Sequence, residues 1–244
     1  MFRSSNSSLS TRRQFLRAGV VAVAGSWVAL ELTGQQRVSA EPTGSTDTRR
    51  ISLVGDSLTV GTMPYQSDDL RAIGWSRTMI DAYASRGVRT KVRHDLHTGL
   101  TAVDAIRESW GDTEVWIVGL GTNDALIYSK RKNAQVITEM MDRIGRGHKV
   151  MWINVYLPQR APQATAWNAS LDEVAAERDD MYVFDWAGLA FENKRWLASD
   201  SVHLSALGYQ QRSAAVARAS RYLQPAVSSA APRGGSPATK PPAV

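Results

Sequence analysis

Five short strand-like runs recur through the middle of the chain: Ile51–Val54, Thr90–Arg93, Val115–Leu120, Val150–Val155 and Met181–Phe184. Each has the length of a buried strand rather than of a helix. Between them apolar residues fall three and four apart, which predicts helices over Ser76–Arg86, Ala102–Ser109, Ala134–Arg146 and Thr165–Arg178, and a last one over Ala206–Tyr222. Gly87, Gly111 and Gly147 stand where helices should stop before the next strand. The alternation predicts an α/β fold, a parallel sheet covered by helices on both faces. In such sheets functional groups collect outside the carboxyl ends of the strands.

The two ends of the chain follow different rules. Residues 1–40 begin with the pair Arg12-Arg13, continue through a moderately apolar stretch from Ala18 to Leu30, and close on Val38-Ser39-Ala40. That stretch is too short to span a bilayer comfortably. A basic start, an apolar centre and a small-residue end read as an export signal of twin-arginine type, cut after Ala40. Residues 41–49 read as a short linker, 50–223 as one folded domain, and 224–244, built from Pro, Ala, Ser and Gly, as a disordered tail with room to tether the protein to an envelope component. The expected location is therefore periplasmic, cell-envelope or extracellular.

Charge then means less than it first implies. The chain carries a formal +6, but five arginines against Glu31 place +4 of it in residues 1–40, which leaves about +2 for the remainder. A nucleic-acid partner is not implied. The sequence has no cysteine, so neither a disulfide framework nor a thiolate metal site exists, and stability rests on the core of a single domain. A monomer is the expected state.

Three polar blocks carry the chemistry. Gly55-Asp56-Ser57-Leu58-Thr59 follows the first strand-like run and places a serine at a strand-to-helix turn. Gly121-Thr122-Asn123-Asp124 closes the third run, and Asp200-Ser201-Val202-His203 lies near the end of the domain. Serine, histidine and aspartate are the parts of an activated-nucleophile system. The spacing of Asp200 and His203 lets one local turn orient the base. The pentapeptide at Ser57 does not meet the G-x-S-x-G pattern of an α/β-hydrolase elbow. Ser57 also has a plainer use as a helix N-cap, and Asp56 is read as organising the loop around it.

These blocks resemble the SGNH (GDSL) hydrolases, a family of esterases, lipases and carbohydrate deacetylases. GDS, a glycine after the second strand, GxND and DxxH can all be placed in order over Arg50 to Leu223, with Gly99 as the glycine. The resemblance implies a three-layer α/β/α flavodoxin-like sandwich with a five-stranded parallel sheet. It implies Ser57, His203 and Asp200 as nucleophile, base and orienter, and an oxyanion hole from the N–H groups of Ser57 and Gly99 with the Asn123 amide. It also implies a carboxylic ester substrate, small or on a glycan or lipid, and no cofactor or metal. Acyl transfer on the same residues, or a non-catalytic envelope-binding protein with this fold, are the competing functions. Where the family often has D-G-x-H-P, this chain has Ser201 and Leu204, which puts the local loop shape in question.

The remaining candidates are weaker. His94-Asp95-Leu96-His97 has alternating ligand types but no supporting histidine cluster, and His148 reads as a surface residue. Trp110, Trp116, Trp152 and Trp186 read as packing, whereas Tyr65, Trp75, Tyr128, Tyr156 and Trp196 fall nearer loops that would border a substrate groove.

Overall fold

In the computed structural model, residues 36–39, 49–90 and 97–224 are described. The expected export signal, linker and tail and most of the expected strand at Thr90–Arg93 lie outside them, apart from Gln36–Ser39, whose backbone forms a short strand.

The elements are β1 (Gln36–Ser39), β2 (Arg50–Gly55), α1 (Ser57–Ala72), β3 (Arg77–Ala82), α2 (Gly99–Trp110), β4 (Val115–Gly119), α3 (Lys130–Ile144), β5 (Lys149–Ile153), α4 (Ala161–Ala176), β6 (Met181–Phe184), α5 (Trp186–Glu192) and α6 (Ala206–Ser220). One sheet orders them β1-β3-β2-β4-β5-β6. The last five strands in this order are parallel, and β1 adds an antiparallel edge to β3. The five-stranded parallel sheet is the one the SGNH resemblance implies.

Alternation along the strands builds two cores. Ile51, Leu53, Val115, Ile117, Met151 and Ile153 face one layer, where Leu58 and Leu70 of α1, Trp186 of α5 and Val216 of α6 are buried. Val54, Trp116, Val118, Val150 and Trp152 face the other, against Val103 of α2, Met140 of α3 and Trp167 of α4. Successive strand side chains point to opposite faces, so covering both faces makes the runs continuously apolar. Trp116, Trp152 and Trp186 are buried, as packing requires. Trp75 is also in the core, its indole N–H donated to Ser220 Oγ at 2.9 Å, and borders no groove.

One expectation is corrected. The helix expected over Ser76–Arg86 is in fact β3, buried along nearly its whole length. Asp81 gave this segment a polar interruption at helical spacing, but its carboxylate is neutralised inside the fold by Arg86, with both side chains fully buried. Conversely, α1 carries no clear apolar stripe and contains Gly61 and Pro64. Gly61 is required there because a Cβ would overlap the Tyr209 ring of α6. Pro64 gives up one intrahelical hydrogen bond, so local signals argue against a helix that packing against α6 nevertheless secures. Among the described residues no helix is long and apolar enough to cross a membrane.

Candidate active site

β2 ends at Gly55, in register with Gly119 of β4 and Ala82 of β3. Asp56 turns the chain into α1. Its backbone N–H reaches Gly119 O at 3.2 Å, and its Oδ1 accepts the Leu58 N–H at 2.9 Å. Asp56 is therefore the N-cap, and Ser57 is the first helical residue rather than the cap. A first-turn N–H has no acceptor within its helix and lies at the positive end of the helix dipole, and the N–H of Ser57 has no partner among the described residues. Burial pushes the Asp56 carboxyl up and the Arg212 guanidinium on α6 down, while their attraction opposes both shifts.

The loop ahead of α6 brings the other two residues to Ser57. His203 Nε2 lies 3.1 Å from Ser57 Oγ, and Nδ1 lies 2.7 Å from Asp200 Oδ2. Asp200 Oδ1 accepts the backbone N–H groups of Val202 and His203 at 3.0 and 2.9 Å. One carboxylate oxygen thus shapes the loop and the other holds the ring. The hydrogen bond from His203 and that from Val202 N–H pull the Asp200 carboxyl down to about 2, so it is ionised at neutral pH. With Nδ1–H donated to it, Nε2 presents its lone pair to the serine hydroxyl.

The departures from D-G-x-H-P now have a geometry. Ser201 has φ +57°, the left-handed conformation that favours glycine. Leu204 is buried and bridges Leu197, and its backbone N–H is a donor that proline lacks. Ala198 N–H to His203 O at 2.8 Å and Ser205 N–H to Trp196 O at 2.8 Å close the loop from both sides.

Asn123 follows β4 and donates its Nδ2 to Arg86 O at 2.9 Å. Residues 86–88 form a strap beyond β3 whose polar backbone groups are nearly all engaged. Arg86 N–H reaches Tyr83 O, Gly87 O accepts Gly99 N–H at 2.9 Å, and Val88 O accepts Leu100 N–H at 3.3 Å. Both oxygens of Asp124 lie 3.0 Å from Val88 N. The N–H of Gly87, a buried residue, has no partner among the described residues. A buried, unpaired backbone donor is rare and costly. Gly99 fares differently from the expectation: its N–H is already donated to Gly87 O, and its missing side chain makes room for Leu120 and Val88. The Gly99 N–H is thus engaged in this structure, and Gly87, which accepts it, is the residue the sequence reading takes for helix punctuation. Arg86, Asp81 and Arg212 were also missed, because nothing in the local pattern marks a charge as buried and paired.

Of the other candidates, His94 lies outside the described residues and His97 stands 6.2 Å from the Tyr83 ring. His148 Nδ1 lies 2.8 Å from Thr113 O, at the opposite end of β4. An apolar cavity of about 660 Å³ between β6, α5 and α6, lined by Met151, Phe184 and Ala215 among others, contains none of the site residues.

The chain belongs to the GDSL-like lipase/acylhydrolase family, whose model matches residues 53–211 and so spans every residue of this site. No curated protein matches it. Among solved structures it is similar to a lipase/acylhydrolase from Enterococcus faecalis (20% identity, 72% of this chain and 96% of that one, TM-score 0.58). It is also similar to the C-terminal catalytic domain of a Streptococcus pneumoniae peptidoglycan O-acetyltransferase (14% identity, 72% and 94%, TM-score 0.55) and to a psychrotrophic esterase from Pseudoalteromonas (13% identity, 72% and 97%, TM-score 0.56). At these identities the likeness is one of fold.

Proposed function

We propose that the protein is an exported serine esterase that hydrolyses carboxylic esters through an acyl-enzyme on Ser57. The observation that carries this reading is the continuous relay of 3.1 and 2.7 Å from Ser57 Oγ through His203 to Asp200. His203 Nε2 takes the hydroxyl proton as Oγ attacks the ester carbonyl, then delivers it to the leaving alcohol. Water, deprotonated by the same nitrogen, releases the acid and restores Ser57. Asp200 fixes the ring tautomer and stabilises the imidazolium.

The developing oxyanion meets the N–H of Ser57 and the side-chain amide of Asn123. Loss of one such donor typically costs about 10²–10³ in kcat. The substrates are O-acyl groups on envelope glycans, or short-chain or lipid esters. The export signal read in residues 1–40 favours an envelope substrate. Transfer of the acyl group to a sugar hydroxyl instead of water uses the same residues, and the neighbour named a peptidoglycan O-acetyltransferase supports keeping that second reading.

The test is the intact mass of the full chain and of Ser57→Ala after exposure to a fluorophosphonate, followed by turnover of p-nitrophenyl acetate and of an O-acetylated glycan. One adduct on the wild type alone, with matching turnover, is expected. No adduct on folded wild type would favour a non-catalytic binding protein.

A further inference from the structure

We infer that Trp196 is a positioning residue, whose ring, stacked on Trp186, anchors the base of the loop that holds His203 and Asp200 at Ser57. This rests on the esterase reading and goes beyond it, since Trp196 acts through the loop and not on the reacting atoms. Burial alone does not hold the catalytic pair, because the Asp200 and His203 side chains are 49% and 42% exposed. The hydrogen bonds of Asp200 stay within the loop, to Val202 and His203. The loop is tied down by a short ladder. Ser205 N–H donates to Trp196 O at 2.8 Å, Leu197 and Leu204 form an antiparallel bridge, and Ala198 N–H donates to His203 O at 2.8 Å. Trp196 and Ser205 make the first rung, Ala198 and His203 the last, and Asp200 sits in the turn beyond. A displacement of Trp196 is therefore passed along the ladder to His203.

The first rung is seated on the core through the Trp196 ring. Its centroid lies 5.8 Å from that of Trp186, with the two planes 11° from parallel. Trp186 is buried, opens α5 behind its N-cap Asp185, and belongs to the apolar layer against which Trp196 packs. It is itself held from α6, where the buried Arg212 places its Cζ 5.5 Å from the Trp186 ring centroid. A cation over an aromatic face counts for more once it is desolvated. Leu204 is buried in the same layer, but the indole brings the larger surface and a defined stacking geometry. α6 meets the ladder a second time: a Cβ on Gly208, in its first turn, would come 2.1 Å from Trp196 O. Ring and carbonyl of one residue are thus both fixed. An aliphatic side chain would fill part of the space without setting the angle at which the ladder leaves the core.

Kinetics on the full chain test this, with active sites counted by fluorophosphonate so that misfolded molecules drop out of kcat. Trp196→Leu should lower kcat by about 10- to 100-fold, the upper figure being the cost of a misplacement of roughly 1 Å. KM for p-nitrophenyl acetate should stay within about threefold of wild type. The rate at which fluorophosphonate labels Ser57 should fall in parallel. Trp196→Phe keeps a flat ring on Trp186 and should recover kcat to within about threefold of wild type. Gly208→Ala presses on the Trp196 carbonyl, leaves both rings in place, and should lower kcat with little change in KM. A wild-type kcat per titrated site in Trp196→Leu would overturn the inference, and so would a Phe variant as impaired as the Leu variant. A loss confined to KM would overturn it as well, by making Trp196 a substrate surface. Where Trp196→Leu yields no titratable sites, Gly208→Ala decides, and a wild-type kcat there sinks the proposal. Absence of both adduct and turnover in folded wild type would instead remove the esterase reading, an outcome seen before any variant is made.

Discussion

Asp200 and Asp124 are carboxylates set in opposite directions by their surroundings. Asp200 is half exposed and held down to about 2 by hydrogen bonds, whereas Asp124 is buried and raised to about 6. The consequences for stability have opposite signs. Asp200 contributes stability above its unfolded pKa near 4 that is lost only as pH falls toward 2, a modest contribution at so exposed a site. Asp124 is protonated more readily folded than unfolded, so between about pH 4 and 6 its contribution strengthens the fold as pH falls. Acidification from pH 7 to 5 should therefore not lower the melting temperature through Asp124, and a fall over that range that is the same in wild type and Asp124→Asn in scanning calorimetry would contradict this. Ser57 and the Asp200–His203 pair were legible in the sequence because each block is local and its chemistry needs those residue types. The engagement of the Gly99 N–H by Gly87 O was not legible, because a donor's availability depends on which hydrogen bonds its neighbours have already used. The plainest prediction at this scale is that Ser57→Ala and His203→Ala abolish turnover with unchanged circular dichroism. Retained turnover in both would end the assignment.

Elements were legible where one signal dominated. β4, β5 and β6 are short apolar strands, and α2, α3, α4 and α6 overlap the segments with helical spacing. β3 and α1 were not, for related reasons. Each carries a residue that local propensity penalises: Asp81 in β3, Gly61 and Pro64 in α1. Each is compensated by a contact outside the element itself. For β3 the contact is the Asp81–Arg86 pair, 2.9 Å apart with neither side chain exposed. Removing one member of a buried pair strands the other charge, at a typical cost of about 3–5 kcal/mol. Arg86→Met should reduce unfolding free energy by about that amount in denaturant titrations. Replacing Asp81 as well, with an apolar residue of similar volume, should recover much of the loss. A second substitution that only adds to the first would mean that the pair is not an isolated unit. Ser201 offers a milder case in the loop before α6. Its left-handed backbone costs a non-glycine residue roughly 1–2 kcal/mol. Ser201→Gly should keep kcat and the melting temperature, whereas Ser201→Val should lower both by shifting the loop that holds Asp200.

For the whole molecule, the sheet separates residues 1–40, the expected export signal, from what the proposed chemistry requires. All the proposed functional residues lie between Gly55 and His203, at the carboxyl ends of β2, β3 and β4 or in the loop ahead of α6. β1 is on the far edge, paired only to β3, with Ser39 opposite Met79 and Gln36 opposite Ala82. A cut after Ala40 would delete this strand and leave β3 as the edge, with a row of unpaired backbone groups. The parallel sheet would remain, since its five strands pair with one another without β1. Residues 41–244 should therefore turn over ester within about twofold of the full chain, because the interactions made in the transition state are unchanged. The opened edge should show itself elsewhere, in faster amide exchange along Arg77–Ala82 measured by mass spectrometry. If removing residues 1–40 instead lowers kcat severalfold, β1 is part of what holds the strap behind β3, and the segment belongs to the working enzyme rather than to its export signal.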